Sequence, residues 1–339
     1  MGRTKPGDYS IGWSPPPYSV DQQGKVVDGY RPREPHNWGR WGEQDQRGAQ
    51  NLIGREQRIA AAQLVRSGKV FSLALALEST APVWPPRPAP QRLAQMSGSD
   101  AVVGSPANQA GPGFQWSEDI LTVATHGSTH WDGLGHAMSG DTMYNGFWAG
   151  NVTAAAGCRV LGIEQQRECF VGRGVLIDAA RQAGVEVCPD RHVITPAMLD
   201  AYLDAQDVRL QPGDMLLVRT GYLAGWWTRP EGQPPLEYFL NSPGISADAI
   251  GWLHEHGVSA LATDTIAVEP LSAEDPEDRV FPLHVGCLVD LGLTLGELFV
   301  LDELAADCAR DGVYEFLLAA QPLHIPGGMG SPLNPIAVK

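Results

Sequence analysis

Short apolar runs alternate with capped helical segments along most of this chain, and this alternation limits the fold to a mixture of helices and strands. Helical patterns cover residues 55–68, 195–206 and 246–257, and the second begins with Thr195 as N-cap and Pro196 at the first helical position. Strand patterns are found at 69–78, 119–125, 159–163, 174–178, 213–220, 258–264 and 312–320. The predicted fold class is therefore α/β, with mixed α and β elements.

The chain divides into an N-terminal arm and one larger domain. Residues 1–45 are polar and rich in Pro, Gly and Trp, which predicts an irregular arm. Trp13, Trp38 and Trp41 would be costly to leave in water, so we expect the arm to pack on the body or on a neighbouring subunit. Residues 46–339 show no linker between 120 and 325 and no internal repeat, which predicts a single domain.

Composition and charge argue against several classes of function. The formal net charge of −15 opposes non-specific binding to nucleic acid or to anionic membranes, because both require a basic surface. No apolar run reaches the length of about 18 residues that a membrane span needs, and the N-terminus lacks the apolar run of a signal peptide. The five cysteines are scattered, as is typical of a reducing cytosol. We expect a cytoplasmic protein that acts on a small-molecule substrate.

Residues 82–118 form a long stretch without hydrophobic periodicity. Such stretches are usually lids, binding loops or disordered segments. The presence of Trp84, Arg87, Arg92 and Trp116 favours a lid, and disorder is the alternative. Trp84 and Arg87 are accordingly candidate substrate-binding residues.

The sequence ATHGSTHWDGLGHAMSGD, which begins at residue 124, contains four side chains that can bind a metal: His126, His130, Asp132 and His136. Neutral imidazole and carboxylate suit zinc, manganese or iron. The glycines of this segment disfavour a helix, and in an extended segment His130 and Asp132 face the same side. A bend just after His126 could bring that residue to the same point. His126, His130 and Asp132 are therefore the predicted metal ligands.

His136 and Trp131 have predicted roles in the reaction. Three protein ligands leave room for a metal-bound water, which would attack a carbonyl carbon. His136 would act as general base and acid, because the unperturbed pKa of histidine lies near neutral pH. Trp131 could contact a flat aromatic substrate, or it could equally belong to the core. The alternative that these histidines only cap turns in a polar core is less favoured, because four candidate ligands are crowded together.

The segment HGSTHWDGLGH resembles the signature of the cyclase family of metal-dependent hydrolases, which includes bacterial kynurenine formamidase and isatin hydrolase. The family pattern is His-x-Gly-Thr-His-x-Asp-x-Pro-x-His, and the matching positions here are His126, Thr129, His130, Asp132 and His136. The sequence departs from the pattern at Ser128 and Leu134, where the family has Gly and Pro. Both departures affect the loop rather than the ligating atoms.

The resemblance implies a β/β/α fold with a central barrel-like mixed sheet, and a homo-oligomer (dimer or tetramer) with the arm as a candidate contact. It implies hydrolysis of an amide, such as an aryl formamide or a cyclic amide, with one or two zinc or manganese ions. The segment LHVGCLVDLGLTLGEL supplies His284 and Glu297 as the best matches to the remaining metal-site residues of the family. These two would complete a second metal site bridged by Asp132, or would support the ligands of the first.

Two alternatives to an amide hydrolase stay open. A lactone or ester hydrolase could use the same site, because the same attack cleaves either carbonyl compound. A non-catalytic protein with a closed metal site is a different class, and His136 argues against it because a purely structural site would not require this residue. No GxSxG or GxGxxG motif supports a serine hydrolase or a dinucleotide enzyme.

Overall fold

The computed structural model describes residues 16–105, 113–271 and 281–339. Its helices are α1 (Arg55–Ala62), α2 (Gly98–Val102), α3 (Ala179–Gln182), α4 (Pro196–Ala205), α5 (Pro235–Leu240), α6 (Ala249–Glu255), α7 (Pro282–His284) and α8 (Asp302–Asp311). Its strands are β1 (Ser19–Val20), β2 (Val26–Val27), β3 (Val70–Ser72), β4 (Gln91–Met96), β5 (Glu118–Thr122), β6 (His130–Asp132), β7 (Val152–Thr153), β8 (Gly157–Cys158), β9 (Val171–Asp178), β10 (Val193–Ile194), β11 (Met215–Arg219), β12 (Gly244–Ile245), β13 (Ala260–Thr263), β14 (Thr294–Glu297), β15 (Glu315–Ala319), β16 (Gly330–Pro332) and β17 (Ile336–Val338). A π-helix spans Val285–Leu291.

A mixed sheet of nine strands dominates the described residues, in the order β16-β6-β14-β13-β11-β9-β15-β17-β3. The four central strands, β14, β13, β11 and β9, run parallel to one another, and every other pairing in the sheet is antiparallel. The sheet curls into a half-barrel. The predicted mixed α and β class with a barrel-like central sheet is therefore confirmed.

The central strands form because their sequences are apolar on both faces. The residues of β11 and β13 are almost all buried, as expected for parallel strands covered on both sides. Helix α4 covers β9. It begins where Thr195 Oγ1 accepts the Met198 backbone N–H at 3.4 Å, as the capping pattern predicts. Its buried residues follow helical spacing and are Leu199, Tyr202 and Leu203.

Three predicted elements differ from the structure. Helix α1 ends at Ala62 rather than near Gly68. Strand β3 is limited to Val70–Ser72, because the chain then leaves the sheet and the Leu75 N–H donates to a threonine side chain. The predicted strand at 159–163 is absent. Leu161 there has a positive φ of 61°, and a 3-10 helix starts at Ile163.

The predicted lid at 82–118 contains regular structure instead of one continuous loop. Strands β4 and β5 form an antiparallel hairpin outside the main sheet, and almost every residue of both strands is exposed. The segment predicted as a strand leading to His126 therefore ends as a strand at Thr122. Strand β5 falls within the strand predicted at 119–125, whereas β4 escapes prediction because its residues are exposed and lack the apolar alternation that marks a strand. Residues 106–112 lie outside the described residues.

The described part of the N-terminal arm packs on the π-helix. Trp38 Nε1 donates to the carbonyl of Val289 at 2.7 Å, and Asn37 Nδ2 donates to that of Leu291 at 2.8 Å. Tyr30 donates its hydroxyl to Asp290 at 2.8 Å. Residues 1–15, with Trp13, lie outside the described residues. Among the helices that are described, none has the length and apolar character needed to cross a membrane.

Candidate metal centre and active site

Strand β6 supplies two of the predicted ligands from one short, fully buried segment. It lies between β14 and β16, and its side chains alternate, so His130 and Asp132 share one face of the sheet. Glu297 is the cross-strand partner of His130 on β14. Because directly paired residues of antiparallel strands project to the same face, this pairing brings Glu297 to the histidine. His130 Nε2 lies 3.4 Å from Glu297 Oε2.

Trp131 faces the other side of the sheet and is a core residue, which corrects its proposed contact with the substrate. Its exposed fraction is 0%. Its Nε1 donates to the carbonyl of Ala320 at 2.7 Å, and its ring stacks on Phe170 with a centroid distance of 4.8 Å. A Cβ added at Gly296 would lie 2.3 Å from the Trp131 ring, so the neighbouring strand needs a glycine there. The alternation that joins His130 and Asp132 excludes Trp131 from the site.

His126 reaches the same site from a turn before β6. The Gly127 N–H donates to the carbonyl of Ala124 at 2.8 Å and closes the turn, which agrees with the predicted bend. Gly330 on β16 makes room for the ring, since a Cβ at that position would lie 2.3 Å from His126 Nε2. Gly330 pairs directly with Asp132. Gly330 is therefore part of the site, although nothing in the local sequence identifies it.

Three histidine nitrogens converge on one oxygen of Asp132. The distances to Asp132 Oδ1 are 3.5 Å from His126 Nε2, 3.4 Å from His130 Nε2 and 3.9 Å from His136 Nε2. His136 also stacks on His126, with ring centroids 4.2 Å apart. The sequence predicts that His136 acts apart from the three ligands. The structure places it among their donor atoms instead.

The second oxygen of Asp132 faces His284. His284 Nε2 lies 3.7 Å from Asp132 Oδ2 and 3.4 Å from Glu297 Oε1. Two groups of candidate ligands result. One consists of His126, Asp132 and His136, the other of Asp132, His284 and Glu297. Asp132 belongs to both, and His130 lies between Asp132 and Glu297.

These side chains fit a divalent metal better than they fit one another. Within the described residues, His126 Nε2, His130 Nε2 and both oxygens of Asp132 are buried without a hydrogen-bond partner. Such atoms are costly to bury unless they bind a cation. Four donors placed tetrahedrally about a metal at 2.0–2.1 Å are about 3.4 Å apart. The observed separations of 3.4–3.9 Å match that spacing and are too long for good hydrogen bonds.

Hydrogen bonds to the opposite ring nitrogens orient two of the histidines. His130 Nδ1 lies 2.7 Å from the carbonyl oxygen of Ser128, to which it must donate, and this leaves the Nε2 lone pair directed into the site. His284 Nδ1 donates to Glu269 Oε1 at 2.6 Å. Metal-binding histidines are typically oriented by contacts of this kind. The tautomers therefore suit metal binding.

Glu269 is a second residue of the candidate site that sequence patterns did not identify. It is buried and also accepts the backbone N–H groups of Leu283 and His284, at 2.8 and 2.9 Å. The chain reaches it through Ala267 and Val268, which have φ values of 83° and 57°. Positive φ is strained for a β-branched residue, and such strain is typical of functional sites. The one sequence feature that could have indicated Glu269 is its position as a carboxylate shortly after strand β13.

Burial and neighbouring charges set the protonation of the site. Burial lowers the pKa of His126 to about 2 and also lowers that of His136. Burial acts in the same direction on His284, but hydrogen bonds to Glu269 and Glu297 outweigh it and raise the pKa to about 10. His126 and His136 are therefore neutral at pH 7, which is the form that binds a metal or accepts a proton. His284 must lose its proton when a metal binds.

Replacing Glu269 with Gln should weaken metal affinity by about 10- to 100-fold, because the orienting charge on His284 is lost. Titration of the metal against a chromogenic chelator measures this change. Glu315→Gln is the matched control, since Glu315 pairs with Arg173 away from the site. Equal affinity in Glu269→Gln and the unsubstituted protein would mean that Glu269 serves only the backbone N–H groups it accepts.

A cavity of about 450 Å³ opens onto the candidate metal-binding side chains. Its polar wall contains His136, His284 and Glu297, and its apolar wall includes Phe281 and Ile266. The remaining lining residues are Trp84, Arg87, Ala137, Met138, Ala267 and Val285. Trp84 and Arg87 thus line the pocket, and their contact with a substrate stays a prediction, whereas Trp131 lies outside the pocket lining.

Comparison with known proteins identifies the family and the fold. Residues 71–270 match the family described as "Putative cyclase". The chain is similar to a crystal structure described as a novel cyclase, with 42% identity and a TM-score of 0.84, over 90% of this chain and 99% of that one. No curated protein matches it.

Two isatin hydrolase structures show the same fold at lower identity. Isatin hydrolase A from Labrenzia aggregata is 22% identical with a TM-score of 0.57, over 83% of this chain and 97% of its own. The enzyme from Ralstonia solanacearum is 20% identical with a TM-score of 0.56, over 84% and 97%. The family match over more than half of the chain, together with the 42% identical structure, shows that the chain belongs to the cyclase family.

Proposed function

We propose that this protein is a metal-dependent hydrolase that cleaves an amide, either an aryl formamide or a cyclic amide. The observation that carries the proposal is the group of buried, unpartnered donor atoms on His126, His130 and Asp132 beside an open pocket. Membership of the cyclase family supports it. The names of the two isatin hydrolases support a cyclic amide in particular, because isatin is one.

The donor atoms suit zinc or manganese, and one or two ions would be held by the two groups that share Asp132. A bound ion would polarise the substrate carbonyl and make water a better nucleophile. Asp132 supplies negative charge to both groups. His284 and Glu297 complete the second group, and Glu269 holds the His284 ring in place.

His136 is suited to move the proton. Its side chain is 30% exposed, against 10% for His126 and 0% for His130, so it can reach a substrate in the pocket. Neutral His136 accepts a proton from the attacking water at Nε2 and returns it to the leaving nitrogen. An amine leaves poorly unless it is protonated, whereas the alcohol of an ester leaves more readily. A proton carrier at this point therefore favours an amide over a lactone or ester substrate.

The open pocket also favours an enzyme over a structural metal site. Structural sites are closed, whereas catalytic sites keep a position open for water or substrate. Here His136, His284 and Glu297 all line the cavity. Substrate can therefore approach the donor atoms directly.

Metal content and a substrate panel test the proposal together. Elemental analysis of protein purified without chelator should find one or two equivalents of zinc or manganese per chain. The metal-loaded protein should hydrolyse an aryl formamide or a cyclic amide, and chelation should stop turnover until metal is restored. Absence of metal, with none taken up on addition, would rule out the hydrolase. Cleavage of lactones but not of amides would instead identify the protein as a lactone or ester hydrolase.

We further propose a homo-oligomer that binds a small molecule and no nucleic acid. Leu93 and Ile120 are directly paired on one face of the β4–β5 hairpin and are 62% and 49% exposed. A two-stranded hairpin is marginally stable alone in water, so a second copy of the chain is a suitable cover. Sedimentation velocity should show a dimer or tetramer, and Leu93→Asp with Ile120→Asp should favour the monomer. A monomeric unsubstituted protein would contradict this proposal.

A further inference from the structure

Arg87 lies at the pocket and is held there by two hydrogen bonds to backbone carbonyls. Its backbone N–H donates to the carbonyl of Trp84 at 3.0 Å, which closes a tight turn around two prolines. Its Nη1 donates to the carbonyl of His126 at 2.9 Å. Arg87 and Trp84 both line the cavity. The turn therefore presents a cation and an aromatic ring to the same space.

The guanidinium of Arg87 lacks a carboxylate partner. Across residues 16–105, 113–271 and 281–339, no Asp or Glu oxygen lies within 4.0 Å of it, although the chain has 39 acidic and 24 basic residues. Other partly buried arginines of the described chain, such as Arg173 and Arg219, are paired with aspartates. One backbone carbonyl uses one of five N–H donors. The others remain for a ligand, and a planar guanidinium matches a carboxylate best.

The rest of the pocket fits an aromatic ring beside that charge. Trp84 is fixed by stacking on Phe239, with ring centroids 5.8 Å apart. Phe281 lies edge-on to His284, with centroids 5.2 Å apart. Ile266 and Met138 complete an apolar surface. A cavity of about 450 Å³ is large enough for one substituted ring together with its polar groups.

We propose that Arg87 binds a carboxylate carried by the substrate, so that the site prefers aromatic amides bearing an acid group. This inference rests on the hydrolase proposed above and narrows its substrate class. Arg87 would act as a specificity-determining residue, separate from the donor atoms that hold the metal. Because a carboxylate could also bind the metal, the test has to separate these two partners.

Binding of benzoate and benzamide to the zinc-loaded protein, measured by calorimetry, tests the inference without requiring turnover. The two ligands have the same shape and differ in charge. Benzoate should bind at least about tenfold more tightly, and Arg87→Gln should remove that preference while leaving benzamide affinity and zinc content unchanged. Arg87→Lys should keep part of the preference. Arg191→Gln, at an exposed arginine bonded to Asn241, is the matched control and should change nothing.

Three results would overturn the inference. If benzoate keeps its preference in Arg87→Gln, its carboxylate binds the metal instead. If both ligands weaken equally and zinc is lost, Arg87 positions His126 through the hydrogen bond to its carbonyl. If benzoate does not bind at all, the site is not selective for acids. Hydrolysis of neutral formanilide is assayed separately. Turnover of formanilide would support the proposed hydrolase even if benzoate shows no preference, and a benzoate preference without turnover would support the role of Arg87 alone.

Discussion

Replacing Asp132 with Asn should remove bound metal and lower kcat/KM by at least about a thousandfold. Asp132 is the one residue common to both groups of candidate ligands, and three histidines point at one of its oxygens. The amide keeps the shape but loses the charge that balances the cation. Loss of about 4 kcal/mol of transition-state stabilisation corresponds to about three powers of ten in rate. Elemental analysis and steady-state kinetics on the same preparation measure both effects.

Asp214→Asn is the matched control for this change. Asp214 is equally buried and pairs with Arg173 at 3.0 Å, outside the two groups of candidate ligands. Its replacement should lower thermal stability but leave the metal content and the activity per folded molecule intact. A metal-replete, active Asp132→Asn protein would contradict the shared role of Asp132 and would reduce the donor set to the histidines and Glu297.

Replacing His136 with Ala should lower kcat by about 10²- to 10⁴-fold while the metal stays bound. The side chain is the most accessible of the three histidines around Asp132 and is neutral at pH 7, as a proton carrier must be. Added imidazole should restore part of the turnover, because it can replace the missing proton carrier. Metal content, kcat and imidazole rescue are measured together.

The proximity of His136 to Asp132 makes metal binding the competing role. His136 Nε2 lies 3.9 Å from Asp132 Oδ1, and His136 belongs to one of the two ligand groups. Loss of metal in His136→Ala, without rescue by imidazole, would identify it as a ligand. His256→Ala is the matched control, since His256 lies at the end of α6 and bonds the carbonyl of Trp252. That variant should keep both metal and turnover.

Much of the architecture follows from local sequence. The apolar runs that become β9, β11, β13 and β15 are visible because these strands are buried, and burial selects their residues. Thr195 and the proline after it mark the start of α4 for an equally local reason. The apolar residues of β5 also predict a strand, whereas β4 carries no such signal because its exposed residues lack apolar alternation.

The candidate metal centre also combines features that local sequence predicts with features that only the fold creates. Two-residue alternation puts His130 and Asp132 on one face, and the same rule places Trp131 on the other, so its core role could have been deduced. Cross-strand pairing between β6 and β14 brings Glu297 to His130, and Glu269, which follows β13, meets His284 at the end of α7. These meetings join residues more than a hundred positions apart, or pass through strained backbone, and no local pattern encodes them.

The sequence alone therefore determined the types of the candidate ligands, their spacing along β6 and the mixed α/β class, because these depend on neighbours within a few residues. The tertiary structure decided how these side chains meet and which further residues join them. Gly330 is the clearest example, since its missing Cβ leaves the space that His126 occupies. Arg87 is another, because its position at the pocket, without a carboxylate partner among the described residues, is a property of the folded chain. Contacts between distant segments are set by packing of the whole sheet, and a linear pattern carries no record of them.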